Sequence, residues 1–347
     1  MNFLTGKEQN FYDFLDGINK KDKVAIISHI DLDGIVSAVF LNEILKTKKL
    51  KPAVLEFINY GAGMFEPIYK KFKKKKITKV FLSDINESAD LENFKKMQNE
   101  FGVFLIDHHP SEDKNSVNVI RARSEDCAGW ILYNLAKNLT DFEKWNELVC
   151  ATLISDYCYK DETNFNFIKQ NFPEAKQENI FESEPGKLAA KINAGITYFK
   201  GEEKKIFDLI LKNKIKKLDK YVKIVDKEIQ NLIDEFKKER EFYPEKNLYF
   251  YYCFPKLSVT STAASILSVQ EPDKIFVLVS DIKEEPEFVK VTSRTQNEAV
   301  SLNLMMKKGV EGLESSSAGG HTKASAARFL KKDLEKFKEN ILSYKIP

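Results

Sequence analysis

All four histidines of the chain fall inside three short segments rich in aspartate or glycine. These are Ser28-His29-Ile30-Asp31-Leu32-Asp33-Gly34, Asp107-His108-His109-Pro110 and Gly319-Gly320-His321. A chain that places histidine nowhere else is using it for chemistry rather than packing. Carboxylates beside neutral imidazoles suit a hard-to-borderline divalent ion such as Mn²⁺. Two such segments, each at the end of an apolar strand, suggest metal-assisted hydrolysis of a phosphoester.

The elements that must position these residues are readable from hydrophobic pattern. Short apolar runs at 24–28, 53–58, 80–83, 103–106 and 117–120 read as strands buried on both faces. Helix candidates lie between them at 34–46, 64–75 and 89–101, giving a βαβ rhythm and an expected parallel, doubly wound sheet. Two further helical stretches follow at 128–139 and 142–157. Residues 202–241 carry lysine and glutamate with apolar residues at helical spacing, and read as a connecting helical pair. After Pro244, strands at 248–254, 274–280 and 288–293 and helices near 263–268 and 333–344 predict a smaller α/β domain. The expected division is 1–200 catalytic, 201–243 linker and 244–347 substrate-binding.

Bulk properties narrow the class. The 347 residues carry 55 basic and 52 acidic side chains, a net charge of +3. That near balance advertises no long duplex as ligand. Cys127, Cys150, Cys158 and Cys253 have no CxxC spacing and read as reduced thiols acting as small hydrophobes. Residues 1–23 lack the apolar core of a signal peptide, and no run reaches the ~20 apolar residues of a membrane span. A soluble, cytoplasmic protein with no membrane partner is expected.

In an open α/β sheet, ligands gather at the carboxyl ends of the strands. Three runs end in aspartate: 24–28 leads to His29, Asp31 and Asp33; 80–83 leads to Asp84; 103–106 leads to Asp107, His108 and His109. Parallel strands put these ends on one edge, where like charges crowd unless a cation joins them. Asp156 closes the apolar helix at 148–154, an unfavourable place for an acid against the helix dipole, and is a further ligand candidate.

The ordered set His-x-Asp-x-Asp-Gly, strand-end Asp84, Asp107-His108-His109 and distant Asp156 resembles the DHH phosphoesterase superfamily. Gly319-Gly320-His321 resembles its C-terminal DHH-associated domain, and the likeness runs over nearly the whole chain. It implies a two-metal site, usually two Mn²⁺, with Mg²⁺ or Co²⁺ as substitutes. His29 and Asp31 would hold one ion, Asp33, His108 and Asp156 the other, and Asp84 would bridge. His109 would contact the scissile phosphate, with Asp107 behind an imidazole. Arg294, Gly319, Gly320 and His321 would bind substrate. Ala318 and Ala327 stand where relatives commonly have glycine, which touches the substrate details.

The branch most resembled is the nanoRNase and phosphoadenosine-phosphate phosphatase group. It implies a nucleotide or very short single-stranded nucleic acid as substrate: short oligoribonucleotides, linear dinucleotides or phosphoadenosine phosphate, in a cleft between the domains. A homodimer is compatible with it. The alternatives are a RecJ-type single-strand DNA exonuclease, which usually adds a nucleic-acid-binding barrel, a manganese inorganic pyrophosphatase, and, in another class, a non-catalytic nucleotide sensor.

Overall fold

The structure is a computed structural model that describes residues 1–111, 118–283 and 285–345. It divides into unit 1, Met1–Val222, and unit 2, Lys223–Pro347. Unit 1 begins with α1 (Glu8–Asp16), β1 (Val24–His29), α2 (Leu32–Thr47), β2 (Val54–Ile58), α3 (Glu66–Lys75) and β3 (Lys79–Ser83). It continues with α4 (Leu91–Glu100), β4 (Gly102–Asp107) and β5 (Val119–Arg121). Helices α5 (Ala128–Lys137), α6 (Asn146–Ser155), α7 (Glu162–Asn171), α8 (Glu184–Tyr198) and α9 (Glu203–Leu211) follow, and α10 (Asp219–Glu239) runs across the division. The expected fifth strand began at Val117, which lies outside the described residues.

The five strands form one sheet in the order β2-β1-β3-β4-β5. Every pairing is parallel, as the βαβ rhythm required. Continuous apolar strands follow from burial on both faces. Ile26, Phe81, Phe104 and Ile120 face the larger core with α1, α2 and α5. Ala25, Ile27, Val80, Leu82 and Leu105 face the smaller core with α3 and α4. The strand order reverses between β1 and β3, the switch point where such sheets open a ligand crevice.

Helix α2 is apolar on all sides, and 13 of its residues from Leu32 to Leu45 are buried. It lies between β1 and the helices α5, α6 and α9, which explains the absence of a polar face. Gly34 is what lets α2 start against β1. A Cβ there would lie 2.3 Å from the His29 carbonyl oxygen. The stretch read as a linker is divided: α9 packs on α2 and β2 of unit 1, because Ile206, Phe207 and Ile210 form its buried face.

Unit 2 comprises β6 (Glu241–Tyr243), β7 (Leu248–Cys253), α11 (Thr260–Gln270), β8 (Ile275–Asp281), β9 (Phe288–Thr295), α12 (Leu302–Gly309), β10 (Ser317–Gly320), β11 (Ala324–Leu330) and α13 (Leu334–Ser343). Its sheet has the order β10-β11-β9-β8-β7-β6. Only β7 and β8 run parallel. Val277, Val291, Phe329, Met305 and Phe337 are central to its core. The glycine segment lies mostly in edge strand β10. Ala318 pairs with Ala327 and Gly320 with Ser325 across the β10–β11 hairpin. All four cysteines are free and buried. No helix among the described residues is long and apolar enough to cross a membrane.

The Gly34 contact yields a direct expectation. Gly34→Ala forces α2 away from β1 and costs about 1–3 kcal/mol, the range for overpacking. The shift in the urea unfolding midpoint measures this, and an unchanged midpoint would show that the helix start can give way.

Candidate metal centre

The parallel sheet delivers the acidic strand ends to one edge, and the local chain then aims each side chain. His29 is the last residue of β1. Asp31 caps α2, its Oδ1 accepting from the Gly34 amide at 3.0 Å, which leaves Oδ2 beside His29 Nδ1 at 2.9 Å. Asp33, in the first turn of α2, is 2% exposed. Its carboxylate accepts from the Ala128 and Gly129 amides, both at 2.8 Å, at the N-terminus of α5. Asp84 follows β3 with φ +55, a left-handed backbone that aspartate tolerates better than most residues.

Asp84 stands between the two histidine segments. Its Oδ2 is 3.6 Å from His29 Nδ1 and its Oδ1 is 3.5 Å from His108 Nε2. Asp156, just beyond the end of α6, places Oδ2 3.6 Å from the same His108 nitrogen. These spacings are too long for good hydrogen bonds. They are what two ligands have when each is ~2.1 Å from one ion between them. Asp84 Oδ2 is buried without a hydrogen-bond partner, and buried His29 Nδ1, although 2.9 Å from Asp31 Oδ2, makes no aligned hydrogen bond. Three sets of ligand atoms lie within 4.8 Å of one another: His29, Asp31 and Asp84; Asp33, His108 and Asp156; and Asp84, His108 and His109. The residues present therefore fit divalent cations.

The charges say the same. Burial, then the charges of Asp84 and Asp156, push the Asp33 carboxyl well above the usual range. Burial and Asp31 raise Asp84, and burial raises Asp156 to about 6 against the pull of His108. Burial favours neutral imidazoles, yet Asp31 and Asp84 raise His29 to about 10. Asp84, Asp33 and Asp156 likewise overcome burial and raise His108 to about 11. Protons thus do the work that metal ions do when bound.

A second layer holds His109. Its Nδ1 lies 2.7 Å from Asp107 Oδ1, and its amide donates to Asp107 Oδ2 at 3.2 Å. Asp107 is fully buried beside Arg121, whose guanidinium is bonded to both Glu87 oxygens at 2.8 Å. Sequence reading missed Glu87 and Arg121 here, and it missed Tyr60. The Tyr60 ring stacks on His29 at 4.5 Å. Its hydroxyl lies 3.1 Å from His109 Nε2 and donates toward the Asp84 carbonyl at 3.3 Å. Asn59 Oδ1 is 3.4 Å from His29 Nε2. The available signal was position: Asn59 and Tyr60 follow β2 on the same sheet edge, but without an acid to mark them.

The substrate-binding candidates lie in unit 2. Arg294, near the end of β9, donates to Ser261 Oγ at 2.6 Å, Ser265 Oγ at 3.2 Å and the Ser293 carbonyl at 2.8 Å. Ser261 is in the first turn of α11. Arg294 pairs in register with Ala324, whose carbonyl accepts from the His321 amide at 2.8 Å. Arg294 and the His321 turn therefore share one end of adjacent strands. Gly320 has φ +132, and a Cβ there would come within 2.5 Å of the Ala324 carbonyl oxygen. The space where a Gly319 Cβ would project is open.

Residues 23–159 match the DHH family, N-terminal domain. The matched segment begins one residue before β1 and contains all six candidate metal ligands. No curated protein matches the chain. Among solved structures, an exonuclease RecJ bound to manganese is similar at 15% identity and TM-score 0.75, over 100% of this chain and 97% of that one. RecJ from Thermus thermophilus in complex with Mn²⁺ gives 14% and 0.70, over 98% and 55%. An exopolyphosphatase-related protein from Bacteroides fragilis gives 14% and 0.55, over 97% and 96%. At these identities the likeness is one of fold.

A prediction about metal uptake follows from the raised imidazoles. At pH 7 His29 and His108 lie below their pKa values of about 10 and about 11 and carry protons. Coordination needs neutral rings, so Mn²⁺ binding releases protons. Apparent affinity then rises with pH, roughly tenfold per pH unit for each proton displaced. Calorimetry in two buffers of different ionisation enthalpy counts the protons, and a count of zero would contradict this charge state.

Proposed function

We propose that the chain is a manganese-dependent phosphoesterase acting on small nucleotide phosphoesters: very short oligoribonucleotides, linear dinucleotides or phosphoadenosine phosphate. The observation that carries this reading is the convergence of His29, Asp31, Asp33, Asp84, His108 and Asp156 around overlapping sets of ligand atoms. His29 and Asp31 hold one cation, Asp33, His108 and Asp156 a second, and Asp84 serves both. Such ions, when bound, neutralise charge on phosphoryl oxygens and make water nucleophilic near neutral pH.

The chain's own groups do the rest. Burial works to lower the pKa of His109, but its bond to Asp107 raises it. The Asp107 contact favours the protonated ring, whose Nε2, 3.1 Å from the Tyr60 hydroxyl, is the atom offered to a phosphoryl oxygen. Residues 244–347 act as the DHH-associated domain. There Arg294, steadied by Ser261 and Ser265, grips a non-scissile phosphate with charge-assisted bonds, and Gly319, Gly320 and His321 complete the anion pocket.

A single-strand exonuclease is the second reading, and one observation favours it. An added barrel does not separate the two, because this chain matches the manganese-bound RecJ over 97% of its length, although it matches the Thermus thermophilus RecJ over 55%. Product analysis decides: purified protein with Mn²⁺ is incubated with phosphoadenosine phosphate, a diadenylate and a longer single strand. Faster turnover of the long strand would replace the first reading with the second. No turnover of any of them would leave a nucleotide sensor.

Two substitutions probe the roles. Asp84→Asn removes a ligand shared by both ions and lowers kcat by roughly 10²–10³-fold or more; Asp107→Asn, acting through His109, costs about 10–100-fold. Near-normal kcat at saturating Mn²⁺ for Asp84→Asn would refute the shared role. Arg294→Ala weakens substrate binding by about 1.5–3 kcal/mol, read as a rise in KM with kcat little changed. A change in kcat alone would remove Arg294 from binding.

A further inference from the structure

A cavity of about 590 Å³ opens in unit 1 among α8, α9 and the start of α10, lined by Phe199, Lys205, Lys216, Lys217, Lys220 and Tyr221 with neighbours. It shares no residue with the metal centre. Residues 200–223 hold nine lysines against four acids, a surplus of five in a chain whose total is +3. The acids of this stretch are occupied. Glu202 pairs with Lys205 at 3.0 Å, Asp208 with Lys204 at 3.0 Å, and Asp219 with Lys191 of α8 at 2.6 Å. Glu203 is buried and accepts from the Gly201 amide at 2.8 Å. Among the described residues, Lys216, Lys217 and Lys220 form no ion pair with a carboxylate. The rim of the cavity is therefore net positive.

Besides these lysines and Asp219, two rings line the cavity, Phe199 and Tyr221, and Tyr198 packs against Tyr221 from outside the lining. Tyr198 and Tyr221 ring centroids are 4.3 Å apart, and Phe199 and Tyr221 are 4.7 Å apart. Lys205 Nζ lies 4.1 Å over the Phe199 ring and Lys220 Nζ 4.7 Å over the Tyr221 ring. Lysine stems are long and flexible, so these ammoniums can yield a ring face to another flat group and still reach a phosphate beside it. Ring faces ringed by cations match the two parts of a nucleotide, a base that stacks and a backbone that is anionic. The volume falls in the range of small-molecule sites, enough for one nucleotide unit and not a duplex. We propose that this cavity binds a nucleotide unit of a single-stranded nucleic acid, as a site separate from the metal centre. This goes beyond the phosphoesterase reading and needs no turnover.

The test uses the full chain in EDTA with a fluorescein-labelled single-stranded 12-mer, followed by anisotropy at several salt concentrations. The exposed triple change Lys216→Gln, Lys217→Gln, Lys220→Gln lowers affinity by tenfold or more. It also flattens the salt dependence by ~0.7 for each of the one or two phosphates no longer neutralised. Tyr221→Leu weakens binding by about tenfold with the salt slope kept, as removal of a stacking face predicts. Equal affinity of wild type and triple variant would overturn the site. So would equally tight binding of a duplex, or an equal weakening by Arg294→Ala. Hydrolysis of a diadenylate with Mn²⁺ stays at the wild-type rate in the triple variant. If wild type itself hydrolyses nothing, the phosphoesterase reading fails while the binding result stands.

Discussion

Four carboxylates cannot share one sheet edge at neutral pH unless positive charge stands among them. Asp31, Asp33, Asp84 and Asp156 are brought to that edge with His29 and His108, and Asp33 and Asp84 are almost fully buried. Desolvation and mutual repulsion both oppose their ionisation. Among the side chains themselves the compromise is visible: Asp33, Asp84 and Asp156 are raised, Asp31 is lowered, against its burial, by its contact with His29, and both imidazoles are raised, so that protons stand among the carboxylates. Buried ions without partners cost several kcal/mol each. A site so arranged is an unfavourable use of sequence unless cations offset that cost.

The scaffold holds this arrangement because it is stabilised elsewhere. Helix α2 buries Ile35, Val36, Val39, Phe40, Leu41, Ile44 and Leu45. At about 1.5–3 kcal/mol for each large apolar side chain, that gross gain exceeds the penalty on the acid it carries. The same helix start is fixed three times: by the Asp31 cap, by close approach at Gly34, and by Asp33 reaching the α5 amides. Asp33 has a structural task as well as a candidate ligand role, because it ties two helices together through one carboxylate. His109 is held from the other side by a chain running Glu87, Arg121, Asp107. Packing, capping and charge thus converge on the sheet's switch point.

Unit 2 shows how a glycine motif leaves its local backbone shape undecided until the sheet is formed. Gly319-Gly320-His321 is expected from sequence to bind substrate, a reading that leaves the local backbone shape open. The structure uses Gly320 for a tight hairpin and places Gly319 in an edge strand. Strand β11, which makes this hairpin, was invisible in sequence. Ala324 to Leu330 is mostly small residues whose strand character comes from pairing with β9 rather than from propensity. Helices α7 and α8 escaped for a related reason: 160–200 is mixed in polarity, and its helices are settled by packing on α6.

By itself, the sequence determined the order of the five strands of unit 1 with the helices between the first four, and the list of acidic and histidine side chains at strand ends. It could do so because those facts are local: apolar runs of strand length, and polar residues at their termini. That the ends share an edge followed from the parallel rule alone. Only tertiary structure decided which groups meet. Tyr60 reaches His29 and His109 across two strands, and Arg121 reaches Glu87 and Asp107 from β5. Arg294 finds Ser261 and Ser265 on a separate helix. Such pairs are separated by tens of residues and carry no periodic signature, so their contact exists only once the sheet has closed the distance.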